Sequence, residues 1–371
     1  MLQPASATAP LFAGADQPAR RGFGINEITV RRERVPVTTR DIAATPYYTL
    51  VEFSRQDTAV LPDILVVPPL SGHFAMLLRD LVIGFLDDFR VHVIDWTNVR
   101  HVPPRHGQFG LEDNIAAVGA AIRRLRPAPS VVGLCQGGVA ALAATALLAA
   151  DDSSDPQPAL ALIAAPIDPL ANPTGVVRLI RARPIAWFAD RATSHVPEPH
   201  AGHGRAVYPA QLQLMALLSY LARHLHEGGE LLRKLRRDDG ADPQRFPFLD
   251  AYTSIMDIDA RHFVENMRRV FHVCALREGS LRCNGERVDL RAIRRTALVT
   301  IEGERDDIAA PGQTSAAHKL CAGLPTGLRR QIVVPNSGHL SLFHGSIFRR
   351  EVLPAIRDVC MHRTELAMRR G

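Results

Sequence analysis

Six residues, Gly133-Leu134-Cys135-Gln136-Gly137-Gly138, set a cysteine between an apolar run and a long alanine-rich run. The apolar run Ser130–Leu134 reads as a strand and the run from Gln136 to Ala150 as a helix, so the glycines mark a sharp strand-to-helix turn. Gly133 and Gly137 stand two residues to either side of Cys135, where a strained turn needs small neighbours, and Gly138 lets the helix pack closely on the sheet. A cysteine there sits at a helix N-terminus. The helix dipole and unpaired N–H groups favour the thiolate, which is the nucleophilic form. The competing reading is a buried cysteine acting as a small hydrophobe, and the surrounding strand–turn–helix favours the nucleophile.

A thiol nucleophile needs a base, and the base needs an acid to orient it. In α/β-hydrolases the order along the chain is nucleophile, acid, base. The strand Thr296–Ile301 runs into Glu302-Gly303-Glu304-Arg305-Asp306-Asp307, and the strand Gln331–Val334 runs into Pro335-Asn336-Ser337-Gly338-His339. His339 is therefore the expected base, walled from water by Leu340-Ser341-Leu342-Phe343. For the acid, Asp306 is preferred over Asp307, which could instead cap the following turn, and over Asp168 after an earlier strand. An oxyanion hole needs two backbone N–H groups. Gln136, just after the cysteine, and Ser71, in Pro68-Pro69-Leu70-Ser71-Gly72-His73, are the expected donors. His73, Trp187 and Tyr208 are candidate substrate contacts, weighed against a solvated loop histidine and ordinary packing; the Leu212–Leu218 run reads as helix core.

These residues need a sheet with its strand ends on one edge. The sequence supplies strand-like runs Glu27–Glu33, Tyr47–Ser54, Asp63–Val67, Val91–Trp96 and Ala159–Ala165, with helical patterns near Ala75–Leu86, Leu111–Leu125 and Gln313–Cys321, and a final helix from about Ile347. Alternating strands and helices predict a mostly parallel sheet with helices on both faces, an α/β-hydrolase arrangement. The period changes at 167–292, which is helix-rich, carries many Arg and His and has no convincing buried strand. The expected organisation is a disordered arm over 1–25, a core of 26–166 and 293–371, and a helical cap over 167–292.

Composition narrows the class. With 371 residues and 46% hydrophobic content, a sizeable core is available, and the longest apolar run, 139–150, falls short of the roughly 18 to 20 residues that span a bilayer. The N-terminus lacks the basic start and apolar block of a secretory signal. Five scattered cysteines make no disulfide framework, so a reducing cytosolic location is expected. The net charge of +6 comes from arginines spread along the chain, with Lys234 and Lys319 the only lysines and no aromatic–basic module to bind nucleic acid. His200 and His203 lie in a glycine- and proline-rich loop without a third ligand, so no metal is expected, nor any phosphate loop or cofactor. Cys274, Cys283, Cys321 and Cys360 are read as structural.

Longer stretches carry a family likeness: VVPPLSGHFAMLLRDLV, VIDWTNVRHVPPRHGQFGLED, HVPEPHAGHGRAVYPAQLQ, DAYTSIMDIDARHFVENMRRVF and TALVTIEGERDDIAAPGQTSAAHKLCAGLP. Over roughly residues 47–360 the chain resembles the intracellular polyhydroxyalkanoate (poly-3-hydroxybutyrate) depolymerases, cysteine-nucleophile α/β-hydrolases. The resemblance implies a triad of Cys135, Asp306 and His339, hydrolysis of polyester bonds through a thioester, and a bacterial cytosolic enzyme at the surface of storage granules. The partner implied is the polymer or its granule; the sequence accommodates a monomer or a homo-oligomer. Two features depart from the pattern. Members often carry a Cys-Gln-Pro elbow, whereas Cys-Gln-Gly-Gly resembles the related polyester synthases, and the N-terminal arm is shorter. The alternatives are therefore a synthase or other acyltransferase, with coenzyme A as a further acyl acceptor to weigh against water, and an inactive granule-binding protein on the same scaffold.

Overall fold

The computed structural model describes residues 23–57, 60–71, 78–151, 157–216 and 255–368, with side chains to residue 363. Three antiparallel strands open the chain, Glu27–Val30 (β1), Glu33–Ala44 (β2) and Tyr48–Arg55 (β3). The sequence reading had two strands here. The extra one, β2, is twelve residues long and largely exposed, so burial leaves no pattern in it. Of the arm expected over 1–25, residues 1–22 lie outside the described residues, while Phe23 and Ile25 are buried and Phe23 packs edge-on against Phe53.

Asp63–Val67 (β4), Arg90–Trp96 (β5), Ser130–Leu134 (β6) and Ala159–Ile163 (β7) follow. They are separated by the helices Arg79–Phe85 (α1), Leu111–Arg124 (α2) and Gly137–Ala150 (α3). The helix expected from Ala75 begins at Arg79 among the described residues. After β7 come Gly175–Arg181 (α4), Ile185–Arg191 (α5), the short strands Ser194–His195 (β8), Ala206–Tyr208 (β9) and Ile258–Asp259 (β10), the helix Ala260–Asn266 (α6), and the hairpin Arg282–Cys283 (β11) with Glu286–Arg287 (β12). The sequence shows no convincing buried strand in this stretch. Strands of two or three residues are too short to print an alternation. Ala297–Gly303 (β13), Ala316–Leu320 (α7), Arg329–Val334 (β14) and Leu353–Met368 (α8) complete the chain. The final helix expected from about Ile347 is found: helical turns over Gly345–Ile347 run through a wide π turn at Phe348–Val352 into α8. Pro354, two residues past that turn, has no N–H to return to the carbonyl four residues back.

The main sheet has the order β1-β2-β3-β5-β4-β6-β7-β13-β14. The pairs from β5 through β14 are parallel and those from β1 to β5 antiparallel, so the mostly parallel α/β-hydrolase arrangement is found as expected. Every residue of β4, β6, β7 and β13 is buried, which is why these strands read as predominantly apolar runs. Successive residues serve opposite faces. Leu65 and Val67 join the layer of α2 and α3, while Ile64 and Val66 join that of α1 and α8. Helix α3 is apolar all round because it is buried nearly all round. No described helix is long and apolar enough to cross a membrane. Chain order reverses at β4, whose neighbours are β5 on one side and β6 on the other. The crevice between the carboxyl ends of β4 and β6 is thus the switch point where open α/β sheets take ligands.

The stretch between β7 and β13 docks on the segment that follows β5. Asn98 Oδ1 accepts from the Arg100 and Asp257 N–H groups, and Arg100 donates to Asp257 at 2.8 Å. Arg205 donates to the carbonyls of Val102, Pro103 and Gly107 and to Asp259 at 2.9 Å, with its guanidinium over the Tyr47 ring. Asp259 also accepts from Phe109 N–H, and Glu265 from Leu111 N–H. Both side chains of the Arg205–Asp259 pair are almost wholly buried, 4% and 2% exposed. Removing one partner strands the other charge, so Arg205→Ala is expected to cost about 3–5 kcal/mol in urea unfolding. A loss under about 1 kcal/mol, the range of an exposed pair, would mean that apolar contacts alone hold the docking.

Candidate active site

Cys135 has φ of +48°, a left-handed conformation that costs a side chain about 1–3 kcal/mol. Its N–H bonds Ile163 O at 2.9 Å, extending the β6–β7 ladder one residue, and its carbonyl accepts from Gly138 N–H at 3.0 Å. The chain therefore turns within one residue and leaves the thiol at the head of α3. The flanking glycines are fixed by contact. A Cβ on Gly133 would lie 2.7 Å from Gly138 Cα, one on Gly138 would lie 2.5 Å from Ala165 Cβ, and one on Gly137 would enter the carbonyls of Val67 and Pro68.

The acid and base loops leave β13 and β14, which are adjacent and parallel. They are stapled to each other. Glu304 N–H bonds Val334 O, Arg305 N–H bonds Ser337 O, Asn336 N–H bonds the Glu304 carboxylate, and Arg305 donates to Asn336 Oδ1. Across this staple Asp306 Oδ2 lies 2.7 Å from His339 Nδ1. Asp306 Oδ1 accepts from Ile308 N–H at 2.8 Å and Ala309 N–H at 2.9 Å. The turn-capping role entertained for Asp307 thus belongs to Asp306, one oxygen of which caps while the other meets the imidazole. Asp168 accepts instead from Leu170 N–H and lies 3.7 Å from Arg277.

His339 is 5% exposed and packs edge-on against Phe343. Burial alone would lower its pKa. The Asp306 carboxylate and Cys135, each acting through charge and a side-chain hydrogen bond, outweigh burial and raise it well above 6.5. Asp306 is thus bonded to His339, and Cys135 is near enough to bear on the same imidazole. The other four cysteines are buried: that pushes Cys274 up, Cys283 to about 11, and Cys321 and Cys360 to about 12. Since thiolates are what alkylating agents attack, and Cys135 alone of the five is partly exposed, iodoacetamide at neutral pH is expected to modify Cys135 first. Earlier labelling of any other cysteine, seen by peptide mapping, would contradict this.

Ser71 follows β4 and Gln136 occupies the residue before the first turn of α3, so both stand at the switch point with Cys135. The loop before Ser71 is held by Trp96, whose indole N–H bonds Pro68 O at 3.0 Å. Trp187 is 41% exposed on α5, under the guanidinium of Arg183 and edge-on to Phe188. The Tyr208 ring is stacked on Phe263 at 4.0 Å. His73 lies outside the described residues, as do Leu217 and Leu218 of the run expected as helix core, while Leu212 in that run is partly exposed.

Sequence reasoning passed over two residues. Glu302, fully buried at the end of β13, accepts from the N–H groups of Gly312, Thr314 and Ser315 at 2.8–2.9 Å and so fastens the far side of the loop carrying Asp306. A glutamate ending an apolar strand was its signal. Gln213 had none: it is one glutamine in a mixed helix, and it reaches Ser71 across 142 positions of sequence.

A family model described as PHB de-polymerase C-terminus matches residues 164–364. Among solved structures, the chain is similar to an enol-lactonase from Burkholderia xenovorans, at 15% identity over 90% of this chain and 99% of that one, TM-score 0.48. It is similar also to a thermophilic esterase from Thermogutta terrifontis, at 16% identity over 91% and 98%, TM-score 0.46. A third is a 2-hydroxy-6-oxo-6-phenylhexa-2,4-dienoate hydrolase from a Rhodococcus strain, at 15% identity over 88% and 99%, TM-score 0.48. No curated protein matches the chain.

Proposed function

Because the chain belongs to the family described as PHB de-polymerase C-terminus, we propose that it hydrolyses the ester bonds of a poly-3-hydroxyalkanoate through a Cys135–His339–Asp306 triad. The observation that carries the reading is a buried imidazole bonded to Asp306 and influenced by Cys135, a cysteine held at positive φ at the switch point. Residues 167–292 act as a cap over that edge, and the expected setting is a storage-granule surface.

Asp306 keeps the imidazole proton on Nδ1, which leaves Nε2 to take the proton of Cys135 and stabilises the imidazolium so formed. The thiolate adds to an ester carbonyl, and the oxyanion is met by the N–H groups of Gln136 and Ser71. As the tetrahedral adduct collapses, the C–O bond breaks and the imidazolium returns its proton to the leaving hydroxyl. A water, deprotonated by His339, then attacks the thioester. The 3-hydroxy acid leaves and the thiol is restored.

The test is release of 3-hydroxy acids from amorphous poly-3-hydroxybutyrate granules. Release that needs Cys135 supports the reading, and an enzyme that leaves granules and short oligomers untouched removes it. The Cys-Gln-Gly-Gly elbow favours a second reading, acyl transfer onto a growing chain, which polymer formation from 3-hydroxyacyl-CoA would reveal.

A further inference from the structure

Gln213 is 6% exposed, in the helical residues 210–216 that follow β9. Its Nε2 donates to Met256 O at 2.8 Å and to Tyr208 O at 3.3 Å, and its Oε1 lies 3.3 Å from Ser71 Oγ. An amide nitrogen has two hydrogens, and two carbonyls claim both. The amide oxygen must then face Ser71, and the Ser71 hydroxyl must donate to it. Gln213 is itself fixed by its neighbourhood, since Ala210 N–H bonds Asp257 Oδ1 and β9 pairs with β10. The short loop Pro68–Ser71 is therefore anchored at both ends. Trp96 and the close approach of Gly137 hold Pro68, and Gln213 holds Ser71.

We propose that Gln213 is a positioning residue for the oxyanion hole, through which the segment between β7 and β13 sets the aim of the Ser71 N–H. This rests on Ser71 serving as an oxyanion donor. Gln213 touches no reacting atom. It fixes the rotamer of Ser71 and thereby the backbone whose N–H must meet charge that develops only during reaction. Losing the tether should therefore weaken transition-state binding more than substrate binding.

The experiment compares the whole protein with Gln213→Leu, Ser71→Ala and the double variant, using p-nitrophenyl butyrate as a soluble ester. Removing an oxyanion donor outright costs about 10²–10³-fold, so a loosened one is expected to lower kcat about 10–100-fold with KM within about twofold. Both single variants should show this loss, and the double variant should be no worse than the worse single one, because the two residues act through one bond. Additive losses, or a loss confined to KM, would overturn the proposal. Amide hydrogen exchange over residues 66–71 gives a reading independent of turnover. Gln213→Leu should speed exchange there and leave β6 and β7 unchanged, and unaltered exchange in the loop would overturn the tether. Wild-type protein without cysteine-dependent turnover would sink the triad reading instead, leaving the exchange result to decide the tether.

Discussion

Cys135→Ala is expected to lose on the order of 10⁵-fold or more in kcat on any ester the protein accepts, since removal of a covalent nucleophile leaves only binding and the oxyanion hole. Stability should barely change. The position keeps φ of +48° with either side chain, so the Cβ strain is common to both, and the thiol is only partly buried. Thermal unfolding and kinetics together make this decisive. A folded variant with most of its activity would remove Cys135 from the chemistry, whereas an unfolded one would show that the thiol packs rather than reacts.

Asp306→Asn should cost about 10⁴-fold in kcat, and the reason is geometric. The oxygen that faces Ile308 and Ala309 accepts from two N–H groups, so an amide there must keep its oxygen on that side and turn its nitrogen to His339. An N–H directed at Nδ1 forces the imidazole proton onto Nε2, the atom that must accept from the thiol. The substitution should also leave a signature in stability. His339 has a folded pKa well above its unfolded value, so its coupling to Asp306 contributes fully at pH below about 6.5 and is lost as pH rises through the raised value. Asp306→Asn should therefore destabilise the protein most at pH 6 and less as pH rises. A rate loss under about tenfold would mean that another carboxylate orients the base.

Burial and turn geometry decide what could be seen in the sequence. Asp63–Val67 and Ser130–Leu134 were legible to the residue because both faces of those strands are covered. Asp306 and His339 were placed by chain order, because a strand of a parallel sheet must deliver its following loop to one edge. Burial could not reveal β2, which has little of it, or the two- and three-residue strands β8–β12. Contacts between distant segments were the least legible. The grip of Arg205 on the segment 102–107, the clasp of Glu302 on 312–315, and the reach of Gln213 to Ser71 each join side chains to positions with no local trace of the partner. Most of the residues that position the site belong to this class.

The most direct test of the account is to look for the acyl group on the enzyme. Protein mixed briefly with a short 3-hydroxybutyrate oligomer and quenched in acid would be digested and its peptides weighed. A 3-hydroxybutyryl adduct is expected on the peptide containing Cys135, discharged by neutral hydroxylamine as a thioester should be. An adduct on a hydroxyl residue elsewhere, or steady release of acid with Cys135 never acylated, would contradict it.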